Sequence, residues 1–252
     1  MATVAGPDAV RTLTVLGCDG SFPAAGGAAS GYLVQSATTS LLLDAGSGTF
    51  ANLQRVLAVA SLDAVVLTHE HPDHWADIES LAVAGPIYKG EPIPLYCPAG
   101  IRDRSYFKHT AAFDWRTITA ASGVTVGDLR LRFSRTDHGP ETLAVCIATE
   151  GREDPDDLFV YSADTGPNWS PDVFGKGIGT FLCEATHLRD LEGTFQHLSG
   201  HQAGAMAKEN GVRTLICTHR SPTVPADALV EEASAALGRE ASQAAMGKVF
   251  EW

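Results

Sequence analysis

The run Thr68-His69-Glu70-His71-Pro72-Asp73-His74 limits what this chain can fold into more than any other segment. It follows the short apolar stretch 64–67, which reads as a buried strand, and a helix carrying Ile78, Leu81 and Ala82 is expected after it. His69, His71, Asp73 and His74 therefore occupy the loop and first helical turn, where a rigid strand end can aim them together. Three histidines and one aspartate within six positions are hard to explain as packing. Imidazole and carboxylate donors without thiolate suit Zn²⁺, and also Mn²⁺ or Fe²⁺. His69 and His71 can reach one ion from an extended loop, whereas Asp73 and His74 project to another side. One run can thus serve two adjacent ions, and those ions need further ligands.

Layered α/β folds place such sites beyond the carboxyl ends of strands, and three side chains fit that position. His138 follows a strand at 129–133, Asp164 closes one at 158–161, and His219 closes one at 214–217. Further strands are expected at 13–16, 31–34, 40–43, 143–148 and 180–182, with helical segments around 50–60, 202–210 and 226–237. The two halves share this rhythm, which predicts a duplicated sheet sandwich flanked by helices. The acidic segment 151–157 reads as a solvated hairpin tip.

With 252 residues, 44% of them hydrophobic and 19% charged, the chain can bury a substantial core, and a single domain over 1–252 is expected. Five scattered cysteines with no CxxC pair argue against a disulfide framework and read as reduced core residues. Residues 1–11 carry no apolar leader and no later stretch has the purity of a membrane span, so a cytoplasmic protein with no membrane partner is expected. A formal charge of −12 opposes bulk affinity for nucleic acid and favours a small partner, although a metal-lined cleft can still be locally positive.

The order His69-x-His71-x-Asp73-His74, then His138, Asp164 and His219, resembles the metallo-β-lactamase superfamily across nearly the whole chain. The resemblance implies a four-layer αβ/βα sandwich and two divalent ions. It implies His69, His71 and His138 on one metal, Asp73, His74 and His219 on the other, and Asp164 between them. Asp44 matches the family's strand-end aspartate behind the ligands. A homodimer is likewise what the family implies.

Within that superfamily, Leu182-Cys183-Glu184-Ala185-Thr186 and Leu198-Ser199-Gly200-His201-Gln202-Ala203 resemble the paired Glu and His motifs of the tRNase Z-like phosphodiesterase branch. Ser199 and Gln202 form a capping-box pattern that puts His201 in the first helical turn, with its ring near the cleft. Glu184 is expected to orient His201 and favour its protonated form, while the helix N-terminus disfavours it, a balance suited to proton donation. Candidate catalytic residues are therefore His201, Glu184 and Asp73. Two divalent ions, Asp73, Asp164 and a bridging hydroxide leave a net charge of about +1, which attracts a phosphodiester. The metals would lower the pKa of bound water and orient the resulting hydroxide toward phosphorus.

The tRNase Z exosite arm is normally inserted between the positions matching His138 and Asp164, yet these are only 26 apart here. The chain also has Cys183 where that family has His. A closer likeness is to atypical, tRNase Z-like cyclic-nucleotide phosphodiesterases of actinobacteria, carried by Leu16-Gly17-Cys18-Asp19-Gly20-Ser21, Ser30-Gly31-Tyr32, Phe181-Leu182-Cys183-Glu184-Ala185 and His197-Leu198-Ser199-Gly200. A small anionic substrate, a cyclic nucleotide first, is the expectation. Alternatives are a zinc hydrolase of esters, thioesters or lactones, and a tRNA 3′-processing endonuclease without the arm. A flavodiiron redox protein is disfavoured because its HxExD motif has Glu where His71 stands. Tyr32, Trp115 and Trp169 are candidates for stacking on a base, or for packing. His109, His187 and His197 read as surface or packing residues.

Overall fold

The computed structural model describes residues 10–252, so most of the segment 1–11 lies outside the described residues. Six strands of one sheet follow chain order: β1 (Thr12–Gly17), β2 (Gly31–Gln35), β3 (Ser40–Leu43), β4 (Ala64–Val66), β5 (Ile93–Cys97) and β6 (Phe113–Thr117). The second sheet runs in reverse spatial order through β7 (Gly123–Val126), β8 (Leu129–Arg135), β9 (Leu143–Thr149), β10 (Phe159–Tyr161), β11 (Thr180–Glu184), β12 (Thr214–Thr218) and β13 (Ser242–Gln243). β14 (Val249–Glu251) returns to pair antiparallel with β1, giving each sheet seven strands. Each sheet begins with antiparallel pairs and finishes with parallel ones, β3 to β6 in the first and β10 to β13 in the second.

Strand periodicity dictates how the sheets stack. In β8, Leu129, Leu131 and Phe133 are buried while Arg130 and Arg132 are exposed. They meet Leu13, Val15, Leu41, Leu43 and Val66 of the first sheet in a shared inner core. The outer faces carry helices. Leu53 of α1 (Thr49–Val56) and, beyond the single turn α2 (Pro72–Trp75), Ile78, Leu81 and Ala82 of α3 (Ile78–Tyr88) cover Leu33, Leu42 and Val65. After the short α4 (Ala99–Arg104), Ala203 and Met206 of α5 (Gly200–Glu209) and Leu229 and Ala233 of α6 (Ala226–Leu237) cover Phe181, Cys183 and Leu215. The result is the expected helix–sheet–sheet–helix sandwich.

Gly204 lets α5 and α6 touch at the backbone, because a Cβ there would lie 2.2 Å from the Ala233 carbonyl oxygen. The capping box is present in full: Ser199 Oγ accepts from Gln202 N and Gln202 Oε1 accepts from Ser199 N, both at 3.0 Å.

Strands β5, β6, β7, β13 and β14 were not anticipated. β5 contains Pro94, β6 is exposed over most of its length, and β13 has only two residues, so none presents a clean apolar run. The acidic segment 151–157 is, as expected, a mostly exposed tip joining the antiparallel β9 and β10, tied down at one end. Asp157 is held at 2.9 Å by Arg11, which is buried and stacks at 4.4 Å on Trp252. All five cysteines are free, and Cys97, Cys146, Cys183 and Cys217 are buried. Among the described residues, no helix is long and apolar enough to cross a membrane.

Candidate metal centre

Asp44, His69, Asp164, Glu184 and His219 stand at or just beyond the carboxyl ends of the mutually parallel strands β3, β4, β10, β11 and β12. At three of these ends a non-glycine residue has a left-handed backbone: Asp44 (φ 55°), Ala163 (φ 52°) and His219 (φ 54°). Each such residue costs roughly 1–3 kcal/mol and persists only where its surroundings over-determine it. The neighbouring Gly46 is demanded by proximity, since a Cβ would lie 1.9 Å from the Asp73 carbonyl oxygen.

The structure gathers all seven expected ligands. His69, His71, His138 and Asp164 present ligand atoms within 4.8 Å of one another, and so do Asp73, His74 and His219. Asp164 stands between the two sets. Its Oδ2 lies 3.5 Å from His69 Nε2 and 3.8 Å from His138 Nε2, while its Oδ1 lies 3.2 Å from His74 Nε2 and 3.4 Å from His219 Nε2. Asp73 Oδ2 is 3.2 Å from His219 Nε2 and accepts the Ser21 N–H at 2.8 Å, so the Gly17 to Ser21 turn lies against the site. Glu70, in the middle of the first run, turns away to a bidentate pair with Arg104 at 2.7 and 2.8 Å.

What lies behind the rings sets which nitrogen faces the cluster. His74 Nδ1 donates to Asp44 Oδ2 at 2.7 Å. Asp44 also accepts from Thr68 N, Thr68 Oγ1 and Tyr161 Oη at 2.8–2.9 Å. Because the single Thr68 hydroxyl proton goes to Asp44, His69 Nδ1 is the donor in its 3.1 Å contact with Thr68 Oγ1. His138 Nδ1 donates to the Gln196 carbonyl at 3.2 Å. In each ring, when neutral, Nε2 is left with its lone pair toward the cluster.

The residues fit metal ions on their own geometry. His69 Nε2, His74 Nε2 and Asp164 Oδ1 are buried and have no hydrogen-bond partner, and His138 Nε2 faces His71 Nδ1 at 3.2 Å. Buried polar atoms are normally satisfied, so this set of nitrogen and oxygen donors is suited to a cation. Burial lowers the pKa of His69 to about 4 and also lowers those of His71 and His138, keeping them neutral and able to coordinate. Burial alone would raise the Asp164 pKa, but His219, His74 and His69 hold it well below the usual carboxylate range. Burial opposes protonation of His74, yet Asp164 and Asp44 outweigh it and raise its pKa, so these carboxylates draw positive charge to this point.

The expected pairing of Glu184 with His201 is not formed. His201 Nδ1 lies 3.0 Å from Glu192 Oε1, and His201 belongs to none of the metal-capable groups found among the described residues. Glu184 instead binds His197, read from sequence as a surface or packing residue, with His197 Nδ1 2.9 Å from Glu184 Oε1. His197 presents a ligand atom within 4.8 Å of those of Asp164 and His219. The physical reason lies in the capping box. Ser199 is the N-cap, so His197 sits in the loop entering α5 at the cleft, while His201, in the first turn, faces Glu192 on the loop before the helix. The same pattern, read for its preceding loop, was the available signal. Burial disfavours protonated His197, but the Glu184 carboxylate outweighs it and pushes the pKa up to about 9.

The aromatic candidates pack instead of lining the site. Tyr32 is fully buried with its hydroxyl on Thr218, Trp169 is buried against Phe181, and Trp115 packs on Phe113. His109 is exposed, and His187 is buried; neither joins a metal-capable group found among the described residues.

The family model described as beta-lactamase superfamily domain matches residues 39–220. The chain is 34% identical to "Probable metallo-hydrolase YhfI" of Bacillus subtilis (strain 168), over 95% of this chain and 99% of that protein. The crystal structure of YhfI superposes with a TM-score of 0.87 at 31% identity, covering 96% of this chain and all of that one. Ribonuclease Z of Methanopyrus kandleri is 27% identical over 90% of this chain and 92% of its own length. The Zn²⁺-bound PqqB structure from Methylobacterium extorquens shares the fold with a TM-score of 0.75 at 17% identity, over 96% of this chain and 100% of that one.

Proposed function

The chain belongs to the metallo-β-lactamase superfamily, and on that premise we propose that it is a dinuclear metal-dependent phosphodiesterase acting on a small phosphodiester, a cyclic nucleotide first. The observation that carries this reading is the Glu184–His197 pair at 2.9 Å beside Asp164 and His219. Hydrolysis of an alkyl phosphodiester expels an alkoxide, a poor leaving group that needs a proton. Protonated His197 offers one from Nε2, and Glu184 fixes the ring by accepting from Nδ1. A thioester, lactone or β-lactam hydrolase would have less use for such a pair.

His69, His71, His138 and Asp164 would hold one ion and Asp73, His74, Asp164 and His219 the other, with zinc preferred over manganese or iron on their nitrogen and oxygen donors. When bound, two divalent ions activate water as a nucleophile and screen the phosphoryl oxygens. The positive charge they bring would lower the His197 pKa from its raised value toward neutrality, where a donor is most effective.

Similarity to a ribonuclease Z supports phosphodiester chemistry. A small substrate is favoured because residues 150–158 alone join β9 to β10, leaving no room for an RNA-gripping arm, and because the net charge is −12. The test is a panel of 3′,5′- and 2′,3′-cyclic nucleotides, bis-p-nitrophenyl phosphate, a tRNA precursor and p-nitrophenyl esters, assayed with Zn²⁺ and with Mn²⁺ after metal removal. Turnover of the cyclic nucleotides is expected. Efficient ester cleavage with no phosphodiester cleavage would overturn the reading.

A further inference from the structure

His219 is the one ring of the Asp73/His74/His219 set that is backed by a hydroxyl, as His69 is in the other set, whereas His74 is backed directly by the Asp44 carboxylate. His219 Nδ1 meets neither a carboxylate nor a carbonyl but the hydroxyl of Thr186, at 2.9 Å. That hydroxyl has one proton, and it is given to Glu184 Oε2 at 2.8 Å. Thr186 Oγ1 must therefore accept from His219, which fixes the Nδ1–H tautomer and leaves Nε2 unprotonated toward Asp73 Oδ2 and Asp164 Oδ1, at 3.2 and 3.4 Å. Glu184 is held in turn by the N–H groups of Thr165 at 2.6 Å and Leu198 at 3.1 Å, with His197 on its other oxygen. Thr186 and Glu184 are both buried, so water offers no ready substitute for either contact.

We propose that Thr186 is a positioning residue that locks the tautomer and orientation of His219 by relaying it to Glu184, and so selectively sets the affinity of the Asp73/His74/His219 metal position. The proposal rests on the metal-centre reading given above. Glu184 thereby has two tasks. One oxygen orients His197 and the other, through Thr186, orients a ligand of the neighbouring metal position. The first position, whose rings are tied to Thr68 and the Gln196 carbonyl, does not depend on Thr186.

The test is Thr186→Val, which keeps the shape and removes the hydroxyl, beside Thr186→Ser, which restores it. Metal-free protein is titrated with Zn²⁺ against a chromophoric chelator, and with Co²⁺ followed by its visible d–d absorption. Wild type is expected to bind two ions. Thr186→Val is expected to bind one as wild type does and the other about 10–100-fold more weakly, with an altered d–d spectrum for that ion. Thr186→Ser is expected to return both affinities to within a few-fold. Two unchanged affinities in Thr186→Val overturn the proposal, as does an equal loss at both positions or a failure of Ser to rescue. If wild type itself binds no metal, the metal-centre reading fails instead. Matching thermal melts of the metal-free variants separate a local effect from misfolding, and a melt of Thr186→Val far below both others with no selective metal loss counts against the proposal.

Discussion

Replacing His197 with Ala separates proton donation from metal binding. The two metal-capable groups that contain the seven ligands do not include His197, so the variant is expected to keep both ions. A positioned general acid contributes about 10²–10⁴-fold, or roughly 3–5 kcal/mol of barrier, when the leaving group is an alkoxide. For a 3′,5′-cyclic nucleotide, kcat should fall by that factor. For bis-p-nitrophenyl phosphate, whose p-nitrophenolate leaves without a proton, the loss should stay within about tenfold. A donor works only while protonated, so the wild-type rate should decline as pH rises through the His197 pKa. Glu184→Gln removes the carboxylate that does most to raise this value against the burial that lowers it, so the alkaline decline should move to lower pH than in wild type. His201→Ala, which loses only the Glu192 contact, should stay within a few-fold of wild type on both substrates. Steady-state rates on the two substrates across pH 6–10, with metal content measured on each sample, decide the matter. Equal losses on both substrates in His197→Ala, or a His201→Ala defect as large, would refute the assignment.

Three other outcomes are expected. Chelation should abolish activity and lower the melting temperature, and two equivalents of Zn²⁺ should restore both; ions present at a thousand times their dissociation constant stabilise by about 4 kcal/mol. Asp164→Ala should weaken both metal positions together, because one of its oxygens faces each set; retention of two ions and full activity, by elemental analysis and assay, would show the bridge is wrong. Gly204→Ala drives a Cβ to 2.2 Å from the Ala233 carbonyl and should cost about 1–3 kcal/mol, a drop of several degrees in melting temperature, with metal binding unchanged.

The legible parts of the site were those whose residue types carry the chemistry themselves. His69, His71, Asp73 and His74 are crowded into one loop, and His138, Asp164 and His219 each end a readable strand, so element order alone brought them near one another. Side-chain pairing was less legible. Glu184 has three histidines within seventeen positions along the chain, His187, His197 and His201, and the direction in which α5 leaves its cap decides that His197 faces it and His201 faces Glu192. Thr68 and Thr186 sit inside readable motifs, but their roles were not legible for a related reason: a threonine hydroxyl carries no ligand pattern of its own, and its importance arises from ring nitrogens that folding brings to it. In the fold, strands with alternating or continuous burial were readable, whereas β6, wet over most of its length, and β5, interrupted by Pro94, depend on neighbours for their pairing.

The strain and the unsatisfied atoms of the centre point to one cause. Asp44, Ala163 and His219 hold left-handed backbone at three strand ends, in both sheets. His69 Nε2, His74 Nε2 and Asp164 Oδ1 are buried without partners at the same place, and each such atom costs about 1–3 kcal/mol. A chain selected for stability alone would relax these turns with glycine and fill the gap with apolar side chains. Instead, the strained ends deliver donors from opposite sheets to one point, and Asp44, Thr68 and Thr186 hold the rings with their lone pairs inward. Divalent cations would satisfy the orphaned atoms together and link the two sheets through Asp164. Metal binding should therefore stabilise the sandwich as well as equip it for hydrolysis, which is why the melting temperature and the activity are expected to return together when zinc is restored.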